Sequence, residues 1–302
     1  MLFVKELLAV AGLTDIRLTD CSVACISTTR PIYLVFGHDA EHPAYVIRRL
    51  TDDHDFQTQQ VHKYLYQLVD KRIPKPVGIF EHGGQQYDIQ YGVKGAPWFQ
   101  VKSKFHTEAA RAQLEARLWQ TLVDFHSAIA AGSNTIETNI IQPHDELIRV
   151  FSEYHKIERT ENAELVKLVE SAVNDLSGVP GCSAIPQHGD FCLNNLIIDT
   201  SHITVIDFED YEITKMPMYD HFTLALSLPS CSEEPNLAVN AYKDAQIAAA
   251  AEKLGIAASA IQWHFLHHIL LRLGPWSTGE KRAKYRAWLK QLLASFIEAN
   301  AP

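Results

Sequence analysis

The sequence predicts an α+β fold in two parts: a small β-rich N-terminal part with one helix, and a larger, mainly helical C-terminal part. Three observations predict it. Short runs rich in β-branched and aromatic residues, punctuated by turn residues, fill most of residues 16–91. From residue 107 onward, apolar side chains recur every three or four positions. Within that helical part lies one isolated hairpin, running from Asn195 to Asp207 and preceded by His188-Gly189-Asp190.

The elements follow in order. Pro31–Phe36 and Ala44–Leu50 are β-rich runs joined by a polar turn from Gly37 to Pro43. Between Asp52 and Asp70, Phe56, Gln60, Tyr64 and Leu68 recur at intervals of four, and so do Val61, Leu65 and Val69. That is helical spacing, with Asp52 or Asp53 as the expected N-cap. Pro74 and Pro76 forbid continuation. Val77–Phe80 and Gln86–Tyr91 flank Gly83-Gly84, a hairpin signal. Tyr91-Gly92-Val93-Lys94-Gly95 reads as a hinge, which divides the chain into 1–92 and 93–302. Thr107 to Ala131 carries Leu114, Leu118, Leu122, Phe125 and Ile129 on one stripe, with Gly132 as a stop. Further helices are expected at roughly 144–176, 236–254, 259–273 and 281–299.

Composition narrows the function. The 302 residues carry a net charge of −9, with 47% apolar and 21% charged residues. That suits a soluble globular protein and lacks the basic face a nucleic-acid binder needs. No run of about eighteen apolar residues predicts a transmembrane helix. The opening apolar stretch contains Lys5 and Glu6, unlike a signal peptide. Cys21, Cys25, Cys182, Cys192 and Cys231 are odd in number and form no C-x-x-C pair, so reduced thiols and a cytoplasmic location are expected. His267-His268 points in diverging directions on a helix and suits no shared metal.

The hairpin and the loop before it carry the chemistry. Asn195 starts the apolar run Leu196–Ile198, Asp199 to His202 is turn material, and Ile203–Ile206 is a second β-branched run. With a loop of Thr200–His202, Asp199 faces Ile203 and Asn195 faces Asp207. Opposed residues of an antiparallel pair lie within about 5 Å. An amide oxygen and a carboxylate then converge on one point, as a magnesium ion requires. Asp190 lies five residues before Asn195, in the loop entering the hairpin, where its carboxylate can sit just beyond the metal.

This arrangement resembles the catalytic core of the aminoglycoside phosphotransferase and choline kinase superfamily, small-molecule relatives of the protein kinases. Their pattern is H-G-D, an Asn five residues after the Asp, an apolar hairpin and I-D-F, and every position is filled here. The resemblance implies a protein-kinase-like bilobal fold, with a nucleotide-covering N-lobe (1–92) and a C-lobe (93–302) holding the catalytic loop, metal site and acceptor pocket. It implies ATP as donor, Mg2+ held by Asn195 and Asp207, and Asp190 as base toward a hydroxyl of a sugar, amino alcohol or antibiotic-like acceptor.

Other positions are read against that pattern. Tyr45-Val46-Ile47-Arg48 has the shape of the strand that supplies the phosphate-gripping lysine of kinases, with arginine in its place. Alternation puts Arg48 on the face of Val46 and Arg49 on the other. The helix that follows has no Glu; Gln57 or Gln60 falls where the usual partner stands. The phosphate-covering loop is expected between Leu18 and Leu34, where Thr19 to Cys25 lacks glycine and offers Ser22 and Ala24 as small residues. Ser22, Arg48 and Tyr91 are thus the nucleotide-binding candidates. The two departures leave open another donor, or a pseudokinase-like scaffold without transfer activity. The complete set of Asp190, Asn195 and Asp207 favours the enzyme. Glu209 either orients metal or substrate or pairs with an arginine. Asp220 is expected to N-cap a helix, and His188 to hold the loop by hydrogen bonds. Trp263, Trp276, Tyr285 and Trp288 suit either a cage for a quaternary ammonium or ordinary core. Lys281, Arg282, Lys284, Arg286 and Lys290 suit either a solvated face or an anionic acceptor.

Overall fold

The structure, a computed structural model, describes residues 2–13, 20–27, 30–132, 139–159, 162–232 and 235–300. In chain order the elements are α1 (Leu2–Val10), β1 (Ser22–Ser27), β2 (Ile32–Phe36), β3 (Tyr45–Arg49), α2 (Asp53–Val69), β4 (Pro76–His82), β5 (Gln85–Tyr91), β6 (Ala96–Pro97), α3 (Trp98–Val101), α4 (Glu108–Gly132), β7 (Ile140–Ile141), α5 (Pro143–Glu158), α6 (Ala163–Ser177), β8 (Cys182–Ser183), β9 (Leu196–Ile198), β10 (Ile203–Val205), α7 (Tyr219–Ser227), α8 (Pro229–Ser232), α9 (Pro235–Ala238), α10 (Ala245–Lys253), α11 (Ile261–Leu273) and α12 (Ala283–Asn300). They fall into two compact units, Met1–Asn134 with Asn194–Asp210, and Thr135–Leu193 with Tyr211–Pro302.

The first unit is built on an antiparallel sheet in the order β1-β2-β3-β5-β4. Alternation sends Val35, Tyr45, Ile47, Tyr87 and Ile89 into one core with Val4, Leu7 and Leu8 of α1. Helix α1 was not anticipated, although Phe3, Val4, Leu7 and Leu8 have the spacing of a single helical face. Helix α2 starts where expected: the Asp52 carboxylate accepts from the Asp55 N–H at 3.0 Å. The β4–β5 turn is Gly83-Gly84, both at positive φ (58° and 71°), as a two-residue hairpin of this hand demands. Helix α4 buries the expected stripe and packs on α2. A second sheet, β10-β9-β6, ties the expected hinge to the hairpin through Ala96 opposite Ile198. Gly95 makes this approach possible: its φ is 110°, and a Cβ there would lie 2.6 Å from the Ile198 carbonyl oxygen.

The second unit packs around α11, where twelve of thirteen residues are buried. A helix apolar all round belongs in an interior, and α5, α7 and α12 surround this one. Its paired histidines do diverge: His267 Nε2 lies 3.8 Å from Glu146, while the His268 ring lies 4.6 Å from that of Tyr219, tilted by 46°. Two expected helices are interrupted. The span 144–176 breaks at Arg159, which takes the left-handed conformation (φ 53°), and Asn162 caps a new helix by accepting from the N–H groups of Glu164 and Leu165. The span 236–254 is helical turns until Asp244, whose carboxylate caps α10 at the N–H of Gln246. In both cases an Asx cap outcompetes apolar periodicity that continues across it. Among the described residues, no helix is long and apolar enough to cross a membrane.

Candidate active site

In the second unit, the loop Gln187–Leu193 is held from below by α7. Sequence reasoning expected Asp220 to cap that helix. Instead Met218 occupies the cap position, and the buried Asp220 carboxylate accepts from the backbone N–H of His188 (2.6 Å) and Gly189 (3.0 Å). Gln187 closes the circuit by accepting from the Asp220 N–H at 3.0 Å. Gly189 sits at φ 88°, and the Asp190 N–H donates to His188 Nδ1 at 3.2 Å, so His188 does hold the loop. The Asp190 Oδ1 accepts from Arg272 Nη2 at 2.8 Å; the aspartate side chain is 25% exposed and the arginine 1%. Arg272 was not singled out from the sequence. The signal was there: a single cation inside the apolar run His268-Ile269-Leu270-Leu271-Arg272-Leu273.

In the first unit, the metal-ligand candidates sit at the ends of the hairpin, with a register different from the one expected. Ile198 pairs with Ile203 and Leu196 with Val205, so Ile206, not Asp207, follows opposite Asn195. The Ile206 N–H donates to the Asn195 carbonyl at 2.9 Å. The loop is the two-residue Thr200-Ser201, because Asp199 takes the Ser201 hydroxyl on its carboxylate at 2.8 Å and closes the turn with His202. Asp207 lies one residue beyond the ladder at φ 67°, a left-handed bend that an aspartate tolerates. This bend, not the strand pleat, sets its direction.

Arg48 and Arg49 do face opposite sides of the sheet. Arg48 lies opposite Asp88 on β5, and its Nη2 is 3.8 Å from that carboxylate; Nη1 is 4.0 Å from Glu209. Arg49 pairs with Tyr87 on the α1 side. The helix that follows supplies no glutamate to Arg48, as expected, but the arginine has acidic neighbours from elsewhere. Its acids come from the next strand and from the end of the hairpin, and α2 supplies an aspartate where a glutamate was sought. That residue, Asp55, is buried and lies 3.7 Å from Arg30. Burial raises its pKa, but hydrogen bonds from Thr51 and the charges of Arg30 and Arg48 outweigh this and hold it below the usual value. Glu209 resolves as an arginine partner: its Oε1 is 3.5 Å from Arg30 as well. Asp88 is the strained member. Burial pushes its pKa up to about 6 against the pull of Arg48.

Ser22–Cys25, expected as a loop, is strand: Ser22 pairs with Phe36 and Cys25 with Tyr33, since Ser-Val-Ala-Cys-Ile-Ser can alternate against β2. Ser22 is exposed at the far end of β1 from the β1–β2 turn, of which residues 28–29 lie outside the described residues. The ring of Tyr91 packs 5.3 Å from that of Tyr45, on the core-facing side and away from Arg48. The late aromatics are committed elsewhere. Trp263 is buried and donates to Asp175. Trp276 has guanidiniums near its ring, Arg272 at 4.1 Å and Arg282 at 3.7 Å, which is no cage for an ammonium. In the basic run, Arg286 and Lys290 both pair with Glu158.

No curated protein matches the sequence. Three of the solved structures similar to this chain illustrate the likeness. The choline/ethanolamine kinase family protein from Mesorhizobium loti is 14% identical, with a TM-score of 0.55 over 97% of this chain and 92% of its own. The streptomycin–ATP–APH(2″)-IIa ternary complex is 16% identical, with a TM-score of 0.54 over 93% of each chain. The macrolide 2′-phosphotransferase MphH from Brachybacterium faecium is 17% identical, with a TM-score of 0.52 over 99% of this chain and 98% of its own. They share the α+β, protein-kinase-like bilobal fold, with its antiparallel N-terminal sheet and mainly helical C-terminal part. The model of the phosphotransferase enzyme family matches residues 34–256, from β2 through α10 and across both the Arg48 network and the Asp190 loop. The chain belongs to the phosphotransferase enzyme family.

Proposed function

We propose that this phosphotransferase moves the γ-phosphate of ATP to a hydroxyl of a small molecule, with Asp190 as general base. The observation that carries the reading is the way Asp190 is held. Its backbone is pinned through His188 and its Oδ1 through a buried arginine, yet its side chain remains partly exposed. A fixed, accessible carboxylate suits a base better than a structural acid. The acceptor oxygen bonds to the γ-phosphorus, its proton passes to Asp190, and the bridging oxygen leaves with ADP. Positioning supplies most of the rate in such transfers.

Asn195 and Asp207 offer an amide oxygen and a carboxylate, a hard donor set that fits Mg2+. Asn195 is 9% exposed, which limits the solvent competing for its side chain. When bound, the ion neutralises charge on the β- and γ-phosphates. On the nucleotide side, Arg48 grips phosphate with its planar fork, Tyr91 contributes backbone at the hinge, and Ser22 contributes a small strand end. Residues 1–92 then serve the nucleotide, and 93–302 the metal, base and acceptor. A cytoplasmic setting agrees with five cysteines outside any disulfide and with the need for ATP.

The test is ADP release across a panel of sugars, amino alcohols and hydroxylated antibiotics, with wild type and Asp190→Asn. The variant should lose transfer while binding ATP within about twofold of wild type, because the lost group faces the acceptor. Turnover within tenfold of wild type would refute Asp190 as base. Nucleotide binding without ADP release by the wild type would identify a scaffold instead.

A further inference from the structure

We infer that Arg272 is the positioning residue for Asp190, fixing the orientation of its carboxylate from the interior of the second unit. This rests on the reading of Asp190 as base. Three observations carry it. Arg272 is 1% exposed, in a helix whose neighbouring positions are Leu270, Leu271 and Leu273. Packing alone would be served as well by another apolar residue, and a charge is buried in such a place only with a partner. The partner is Asp190, at 2.8 Å; Thr223 Oγ1, 3.3 Å from the same nitrogen, steadies the contact. Thr223 is itself fixed, since its hydroxyl donates to the Tyr219 carbonyl at 3.1 Å.

The rest of the guanidinium is committed to aromatic surface. Among the described residues, Nε and Nη1 have no hydrogen-bond partner. The group lies 4.1 Å from the ring of Trp276 and 5.4 Å from that of Tyr219. Arg282 also lies over Trp276, at 3.7 Å, and donates to the Trp276 carbonyl at 2.8 Å, which keeps the indole in place. A flat cation stacked this way has little freedom to rotate, so the one hydrogen bond it gives Asp190 is directional. Holding the carboxylate in one orientation suits phosphoryl transfer, where alignment contributes more than proton removal.

The experiment compares steady-state transfer by wild type, Asp190→Asn, Arg272→Met, Arg272→Lys and the double variant Asp190→Asn/Arg272→Met. Met preserves apolar volume; Lys preserves charge without the planar fork. Arg272→Met should lower kcat about 100-fold with KM for ATP within about threefold of wild type, and Arg272→Lys should recover part of the loss. In the Asp190→Asn background the same Met substitution should cost nothing further, because its effect runs through Asp190. If Asp190→Asn itself stays active, the base assignment fails, whatever Arg272 does. If Asp190→Asn is inactive but Arg272→Met keeps kcat within threefold of wild type, or lowers the double variant further, the inference on Arg272 fails. Should Arg272→Met not fold, Arg272→Lys takes its place under the same criteria. Failure of both to fold would make Arg272 structural and overturn the inference.

Discussion

Replacing Asp88 by Asn should make the protein more stable at neutral pH, and the gain should vanish in acid. Asp88 is 3% exposed, and its pKa rises from 3.8 to about 6, because burial outweighs the attraction of Arg48 at 3.8 Å. With an effective dielectric constant of about 20, that attraction is worth about 4 kcal/mol, so desolvation must exceed it. The folded state therefore holds the Asp88 proton more tightly than the unfolded state. Below pH 3.8 the group is protonated in both and costs nothing. As pH rises through 6 the folded protein must ionise a buried acid, and stability falls by about 3 kcal/mol relative to a neutral side chain. Asn has the shape and neutrality of the protonated acid. Urea unfolding of wild type and Asp88→Asn at pH 4, 5, 6 and 7 measures the difference. It should grow by about 2.4 kcal/mol in favour of the variant between pH 4 and pH 7, since part of the penalty is already present at pH 4. A difference that stays constant, or shifts toward wild type, would refute the balance drawn here.

Two further outcomes concern the nucleotide side. Arg48→Ala should weaken ATP about tenfold to a hundredfold while leaving adenosine binding near wild type, and Arg49→Ala should change neither by more than about threefold; titration calorimetry on both variants decides, and equal losses would mean the strand faces the wrong way. Because Asp88 and Glu209 already share the Arg48 fork, the lower end of that range is expected. Asp207→Ala should abolish the tightening of ATP binding by magnesium, and an unchanged magnesium response would exclude Asp207 as a ligand.

What could be read from the sequence was local. Gly83-Gly84, the α4 stripe and the opposition of Arg48 to Arg49 depend on neighbours within a few residues, where periodicity speaks directly. The hairpin was also visible, but its register turned on one loop residue. His202 could be assigned to strand or turn from composition, and the choice moved Asp207 off its partner. The missed contacts join distant segments. Arg272 lies 82 residues from Asp190, Arg30 lies 179 from Glu209, and Asp220 lies more than 30 from the loop it holds. No spacing rule connects such positions; only the packed interior does. Asp55 failed differently. It stood in the expected helix, but the partner sought there was a glutamate near Gln57 or Gln60, and the shorter acid was passed over.

The missing glutamate and the arginine at position 48 explain each other. A lysine needs a close carboxylate to stay charged when partly buried, because its pKa falls readily on desolvation. Arginine keeps its charge unaided, so its counter-charges can be spread and loose. That is the arrangement here: Asp88 at 3.8 Å and Glu209 at 4.0 Å, with Asp55 close enough to feel the same charge. None of these is a short hydrogen bond. Arg30 shares the load, drawing on Asp52, Asp55 and Glu209 between 3.4 and 3.7 Å. A guanidinium held by several distant acids gives up little when an anion with better geometry arrives, whereas one locked in a bidentate pair would have to break it first. Asp88 shows what this arrangement costs, since a buried carboxylate raised to a pKa of about 6 is kept ionised at neutral pH against its desolvation. Glu209 joins the two arginines to the chain leaving Asp207. The cation on β3 and the end of the hairpin are thereby fixed to each other within the first unit, with no glutamate from α2.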